Sequence, residues 1–274
     1  MIAPNPTKTF RVRIKRQDGA DQPAYWQEFE VPVRSSQNII SVLQYIAANP
    51  VTVEGETVEP VVWDSGCLEE VCGACTMVIN GRARQSCSAL VPDLLKQAGG
   101  DPGGRLGQSS GGSGGGAITL EPMTKFPVVR DLFVDRQRMF DNLIKVKAWV
   151  PIDGTHSLGP GPTESPEKQE ERYAISRCMT CGCCLEACPQ FTKDNDFLGA
   201  QAIAQAYYFN EHQTGAKLKK ERLDILMGPG GVADCGNAQN CVKVCPKEIP
   251  LTEAIGKAGR QLTIHAVKKF FTGK

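Results

Sequence analysis

In the stretch FRVRIK, Phe10, Val12 and Ile14 interleave with Arg11, Arg13 and Lys15. A period of two is the pattern of a half-buried strand. EFEVPV repeats it with Phe29, Val31 and Val33, and the polar QDGADQP between the two runs predicts a hairpin. The period then changes. In SQNIISVLQYIAAN, Ile39, Val42, Leu43 and Ile46 share one helical face, with Ser36 as the expected N-cap. TMVINGRARQSC reads as a second hairpin turned at Asn80-Gly81, and AITLEPM as a last strand. Together these elements predict a small mixed sheet clasping one helix.

The second half carries a different pattern. FLGAQAIAQAYYFNEH, KKERLDILM and LTEAIGKAGRQLTIHAVKKFF have helical spacing and no alternation. An α+β chain is therefore expected, with a sheet domain over 1–128 and an all-helical domain over 129–274. GGDPGGRLGQSSGGSGGG cannot pack and is expected as a flexible insertion over 99–116, because AITLEPM beyond it still reads as a strand. A second loose segment is expected over 154–168.

Composition narrows the function. The 274 residues carry a net charge of +1, which offers no electrostatic basis for nucleic-acid binding. The N-terminus has no apolar run of signal-peptide length, and no stretch approaches the ~20 apolar residues of a membrane span. A soluble, intracellular chain is expected. The 12 cysteines change the picture most. Without an export signal the compartment is reducing, so disulfides are disfavoured. Many cysteines are spaced to grip one metal centre. The histidines, His156, His212 and His265, do not neighbour a cysteine, which disfavours Cys2His2 zinc and Rieske-type ligation.

Cys67, Cys72, Cys75 and Cys87 form C-x4-C-x2-C-x11-C, the spacing of plant-type [2Fe-2S] ferredoxins. Three thiolates from one tight loop can wrap a two-iron rhomb, and the fourth comes from beyond the hairpin. Gly66 and Gly73 let backbone N–H groups approach the sulfurs. A zinc site would prefer two C-x2-C pairs. CLEEVCGACTMVING also resembles the iron–sulfur domain of molybdenum hydroxylases, whose second [2Fe-2S] motif is not found here.

CMTCGCCLEACP holds Cys178, Cys181, Cys184, Cys188 and Pro189 as an uninterrupted C-x2-C-x2-C-x3-C-P run. CGNAQNCVKVCP repeats the run with Cys235, Cys241, Cys245 and Pro246, but has Ala238 in place of one cysteine. In two-cluster ferredoxins the fourth cysteine of each run ligates the other cluster. One site then takes Cys178, Cys181, Cys184 and Cys245, a complete [4Fe-4S] set. The other takes Cys188, Cys235 and Cys241, and Ala238 makes a [3Fe-4S] cluster the direct inference. The alternative is a labile fourth iron held by water, Asn237, Gln239 or Asn240, as in a dehydratase. Cys183 lies off the ligand register and reads as a buried packing residue. No catalytic acid–base pair or nucleophile signature stands out, so the chain reads as an electron wire.

CGACTMVINGRARQSC, CMTCGCCLEACPQF and ADCGNAQNCVKVCPKEIPL together resemble the iron–sulfur subunit of succinate dehydrogenase and fumarate reductase. The resemblance runs from about Phe10 to the C-terminal helix, except for the Gly-rich insertion. It implies an N-terminal β-grasp plant-type ferredoxin domain and a helical two-cluster ferredoxin-like domain. It also implies an FAD-containing flavoprotein partner, where succinate and fumarate react, and a membrane-anchor partner, often haem-bearing. The [2Fe-2S] centre would face the flavin and the [3Fe-4S] centre the quinone. The chain would then sit peripherally on the cytoplasmic face of a bacterial inner membrane.

There are departures from the family pattern. Many members have tryptophan shortly after the first Cys-Pro, where this chain has Thr192 and Lys193. Many have histidine where Gly236 stands. Pro189 and Lys247 remain as quinone-proximal candidates. Leu68 and Glu70 in CLEE, with CGCCLEACPQ, resemble the branch with a single two-haem anchor, which often uses menaquinone. HAVKKFFTGK is expected either to meet the anchor or anionic lipid, or to be a solvated helix end with buried phenylalanines. Trp26, Trp63 and Trp149 are expected in the core. The competing functions are fumarate reduction, a stand-alone soluble carrier and an aconitase-like dehydratase.

Overall fold

The computed structural model describes residues 8–99, 117–151 and 163–272. The chain divides into two compact units, Met1–Asp135 and Arg136–Lys274. Apart from Gly99, the expected Gly-rich insertion lies outside the described residues, as does much of the expected loose segment over 154–168.

The first unit is built on strands β1 (Thr9–Arg16), β2 (Tyr25–Pro32), β3 (Thr76–Ile79), β4 (Arg82–Gln85) and β5 (Ile118–Glu121). They form one sheet in the order β2-β1-β5-β3-β4. β1 and β5 run parallel at its centre, and the other pairings are antiparallel. Register puts Val12 opposite Phe29 and beside Ile118, so one face of three strands is apolar. Helix α1 (Ile39–Ala48) covers that face with the predicted Ile39, Val42, Leu43 and Ile46, all buried. A mixed sheet holding one helix is the β-grasp arrangement. Helix α2 (Val91–Gly99) and the β6 (Val128–Arg130)–β7 (Phe133–Val134) hairpin follow as elements the periodicity did not announce.

The helix start differs from expectation. Asn38, not Ser36, caps α1: its Oδ1 accepts from Ser41 N at 2.9 Å while its own N–H donates to Ser41 Oγ at 3.1 Å. Ser36 instead turns the chain in a left-handed conformation, φ 57°. The Asn38 amide also donates to the Cys87 carbonyl at 2.8 Å, so the cap fixes the backbone of a candidate ligand. At the end of β1, Arg16 and Asp131 form a buried bidentate ion pair at 2.8 and 3.1 Å. Asp131 also accepts from the N–H groups of Gln17 and Val62.

The second unit is helical: α3 (Gln137–Lys145), α4 (Pro166–Ser176), α5 (Cys183–Glu186), α6 (Gly199–Glu211), α7 (Lys219–Met227), α8 (Asn240–Val244) and α9 (Leu251–Thr272). Helix α6 is its axis. It is lined with Ala200, Ala202, Ala204 and Ala206, small residues that let neighbouring helices approach closely. The buried Arg222 donates to the carbonyls of Lys147, Trp149 and Gly215, pinning the chain after α3 to α7. Residues 166–168, expected as loop, begin α4, with Pro166 in the first turn where its missing N–H costs nothing.

Two further expectations are corrected. Trp26 and Trp149 are 38% and 43% exposed, not core. Trp26 lies under the Arg13 guanidinium, 4.6 Å from the ring centre. Phe270 and Phe271 are 84% and 80% exposed, so the end of α9 does not bury its phenylalanines. Among the described residues no helix is long and apolar enough to cross a membrane.

Candidate metal centres

In the first unit, the loop before β3 wraps around its own sulfurs. Leu68 (φ 62°), Glu70 (φ 55°) and Gly73 (φ 72°) take left-handed conformations that turn successive N–H groups inward. Cys67 Sγ accepts from Glu69, Val71 and Cys72, each at 3.3 Å. Cys72 Sγ accepts from the Cys67 and Ala74 N–H groups. A Cβ at Gly66 would lie 3.1 Å from Cys72 Sγ, so a side chain there would press on that sulfur. The N–H groups of Glu69 and Val71 draw the Cys67 thiol down to about 7. Cys75 and Cys87 are buried beside Ile40, with Trp63 packed against them. Burial, with Cys87 alongside, pushes the Cys75 thiol up to about 12. Ser88 Oγ donates to Glu70 at 2.6 Å, closing the loop onto the chain beyond Cys87. All four predicted residues thus belong to one loop-and-hairpin corner.

In the helical unit the cysteines group by space and not by run. Cys178, Cys181, Cys184 and Cys245 line one recess of about 360 Å³. Cys188, Cys235 and Cys241 line another of about 440 Å³, together with Ala238. Short helices α5 and α8, rather than turns alone, carry parts of the two runs. Asn240 donates to the Ala187 carbonyl at 3.1 Å and ties α8 to α5, so each run reaches the other. Cys183 is fully buried, as expected, but also bonds: its thiol and N–H both stabilise the Cys181 sulfur and lower its pKa.

The donor chemistry fits iron–sulfur groups. Burial pushes Cys178 up to about 11 and Cys184 well above the ordinary thiol value, and it raises Cys241. Such thiols stay protonated unless a cation replaces the proton, and metal binding does so. Among the described residues no three Cys, His, Asp or Glu side chains close on a single ion. Thiolates that each hold a different iron are not required to.

The loop around Ala238 is exposed from Gly236 to Gln239, and Asn237 (φ 51°) and Gln239 (φ 59°) are both left-handed. A Cβ at Gly236 would fall 2.8 Å from the Gln190 side chain, so Gln190 occupies the space a larger residue there would need. Pro189 lines the three-cysteine recess, whereas Lys247 lines the four-cysteine one. Sequence reasoning missed Gln201, a buried residue in the wall of the four-cysteine recess. Its polar residue type on the buried face of an alanine-rich helix was the available signal.

Known proteins show the same organisation. Residues 11–141 match the 2Fe-2S iron-sulfur cluster binding domain family, and residues 174–249 the 4Fe-4S dicluster domain family. The succinate dehydrogenase iron-sulfur subunit of Bacillus subtilis (strain 168) is 52% identical over 264 residues, 96% of each chain. The fumarate reductase iron-sulfur subunit of Wolinella succinogenes is 27% identical over 257 residues, 93% of this chain and 96% of its own. A chain of the Mycobacterium smegmatis Sdh1 complex in the apo form shares the fold, with a TM-score of 0.71 at 18% identity over 96% of this chain and 98% of that one. Two ferredoxin-type units in this order, three groups of cysteines and near-complete coverage at 52% identity lead to one conclusion: the chain belongs to the family of succinate dehydrogenase iron–sulfur subunits.

Proposed function

We propose that this chain is the electron wire of a succinate:quinone oxidoreductase, with its ligands distributed as the cysteines group in space. The [2Fe-2S] cluster takes Cys67, Cys72, Cys75 and Cys87; the [4Fe-4S] cluster Cys178, Cys181, Cys184 and Cys245; the [3Fe-4S] cluster Cys188, Cys235 and Cys241. The observation that carries the reading is the exchange of fourth cysteines: Cys245 lines the recess of the first run and Cys188 that of the second. The succinate dehydrogenase direction is favoured by the 52% relative over the fumarate reductase relatives at 27%.

Bound clusters supply single-electron steps between a two-electron flavin and a quinone. The chain's residues set the conditions. Three N–H donors on Cys67 stabilise its thiolate, and burial keeps water from Cys75, Cys184 and Cys241. The chain itself supplies no catalytic residue; succinate reacts in the flavoprotein partner. A membrane-anchor subunit is the other partner. The anchor is read as haem-bearing, the quinone as menaquinone, and the complex as lying on the cytoplasmic face of a bacterial inner membrane. The exposed 236–239 loop supports placing the three-iron end toward the quinone, with Pro189 as the nearer candidate contact.

Electron paramagnetic resonance of the intact protein tests the reading. An oxidised [3Fe-4S] signal is expected, with [2Fe-2S] and [4Fe-4S] signals on reduction. Absence of the oxidised signal, or hydratase activity gained on adding ferrous iron, would overturn it.

A further inference from the structure

Gln201 stands in the third position of α6, 2% exposed, in the wall of the recess lined by Cys178, Cys181, Cys184 and Cys245. Neither its Nε2 nor its Oε1 has a hydrogen-bond partner in the protein, and both atoms are out of contact with solvent. A buried, unpaired amide is costly, and a chain retains one where something else completes it. The neighbouring α6 positions are alanines, so a packing role would have been met by another small or apolar side chain. A close contact fixes the helix start. Gly199, φ 84°, lies so close to Leu185 of α5 that an added Cβ would fall 2.1 Å from Leu185 Cδ2. This contact seats the first turn of α6 against the helix that carries Cys184. Ala200, one residue earlier, lines the three-cysteine recess instead.

We infer that Gln201 Nε2 donates a hydrogen bond to a sulfur of the [4Fe-4S] group, either a cysteine thiolate or an inorganic sulfide, and so raises that group's reduction potential. The inference rests on the ligand assignment above. The physical reason is charge. One-electron reduction makes the sulfurs more negative, so a donor aimed at them stabilises the reduced form more than the oxidised form. Gln201 is thus a cofactor-contacting residue, and it sets how readily the middle of the wire accepts an electron.

Redox titration of the complete complex, followed by electron paramagnetic resonance, tests this. Gln201→Leu is expected to lower the [4Fe-4S] midpoint potential by about 59 mV. That corresponds to about a tenfold shift in the one-electron equilibrium, the scale of one hydrogen bond to a charged acceptor. Gln201→Glu keeps the shape, replaces the donor with an acceptor, and is expected to lower it at least as far. The [2Fe-2S] and [3Fe-4S] potentials should stay near wild type. In the wild-type complex, pulsed measurements with side-chain 15N-labelled glutamine should show nitrogen and exchangeable-proton couplings on the reduced [4Fe-4S] signal, both lost in Gln201→Leu. An unchanged potential in both variants, or no such couplings in the wild type, overturns the inference while leaving the ligand assignment standing. If the variants move the [3Fe-4S] potential alone, the assignment of the two recesses falls as well. Should Gln201→Leu fail to assemble, the wild-type couplings decide by themselves.

Discussion

Gly199→Ala tests whether the α5–α6 contact holds the cluster-binding corner together. Two costs follow from the structure. The backbone at 199 is left-handed, φ 84°, which costs an L-residue about 1–2 kcal/mol. The new methyl group would lie 2.1 Å from Leu185 Cδ2, and Leu185 is fully buried. Overpacking of that kind costs about 1–3 kcal/mol. The sum, about 2–5 kcal/mol, is a large part of the ~5–15 kcal/mol of an ordinary domain. Anaerobic denaturation followed by the helical circular dichroism should show a lower midpoint with loss of the [4Fe-4S] signal. A double-mutant cycle with Leu185→Ala separates the costs, because that variant removes the atom struck. The pair should be more stable than the sum of the singles by about 1–3 kcal/mol. Additivity within ~0.5 kcal/mol, or a Gly199→Ala protein as stable as wild type, would refute the close-contact argument.

Other outcomes follow from the same structure. Asp131→Asn removes the charge facing the buried Arg16 and should destabilise the sheet unit by about 3–5 kcal/mol, seen as early loss of the [2Fe-2S] absorption on heating; a cost below ~1 kcal/mol would refute the pair's role. Ala238→Cys should replace the oxidised three-iron signal with a [4Fe-4S] cluster, and an unchanged signal would mean residue 238 does not face the missing corner. Glu171 accepts from Lys257 first and then Tyr207, which hold its carboxyl below the usual value. A depressed folded pKa means that its stabilisation is present above the unfolded value of about 4.3 and lost as pH falls through that value and below. With the side chain 41% exposed, the contribution is at most about 1 kcal/mol. The stability difference between wild type and Glu171→Gln should therefore stay constant from about pH 8 to 5.5, and a difference that fades in that range would refute the assignment.

Local periodicity was enough for the clasping sheet and its helix, because Phe10, Val12, Ile14, Ile39, Val42, Leu43 and Ile46 each face one core. It was equally enough for the Asn80-Gly81 turn, whose two residues have φ 48° and 74°. The helix cap was misplaced by two residues: Ser36 and Asn38 are both capable caps, and Asn38 has the reciprocal bonds with Ser41 and the contact with Cys87. Helix α4 was missed because an exposed, highly charged helix carries little apolar signal; Ile175 is its one buried residue.

Cysteine spacing by itself determined the types of cluster, since a ligand register is a local property of the chain. Only the tertiary structure decided what surrounds them: Gln190 against Gly236, Lys247 beside the four-cysteine recess, Cys183 bonded to Cys181, and an unpartnered Gln201 in the wall of that same recess. The physical reason is sequence distance. Within a run the cysteines follow one another closely, whereas the exchanged Cys188 and Cys245 and most of the groups around the recesses arrive on other segments, and packing alone sets where those segments meet.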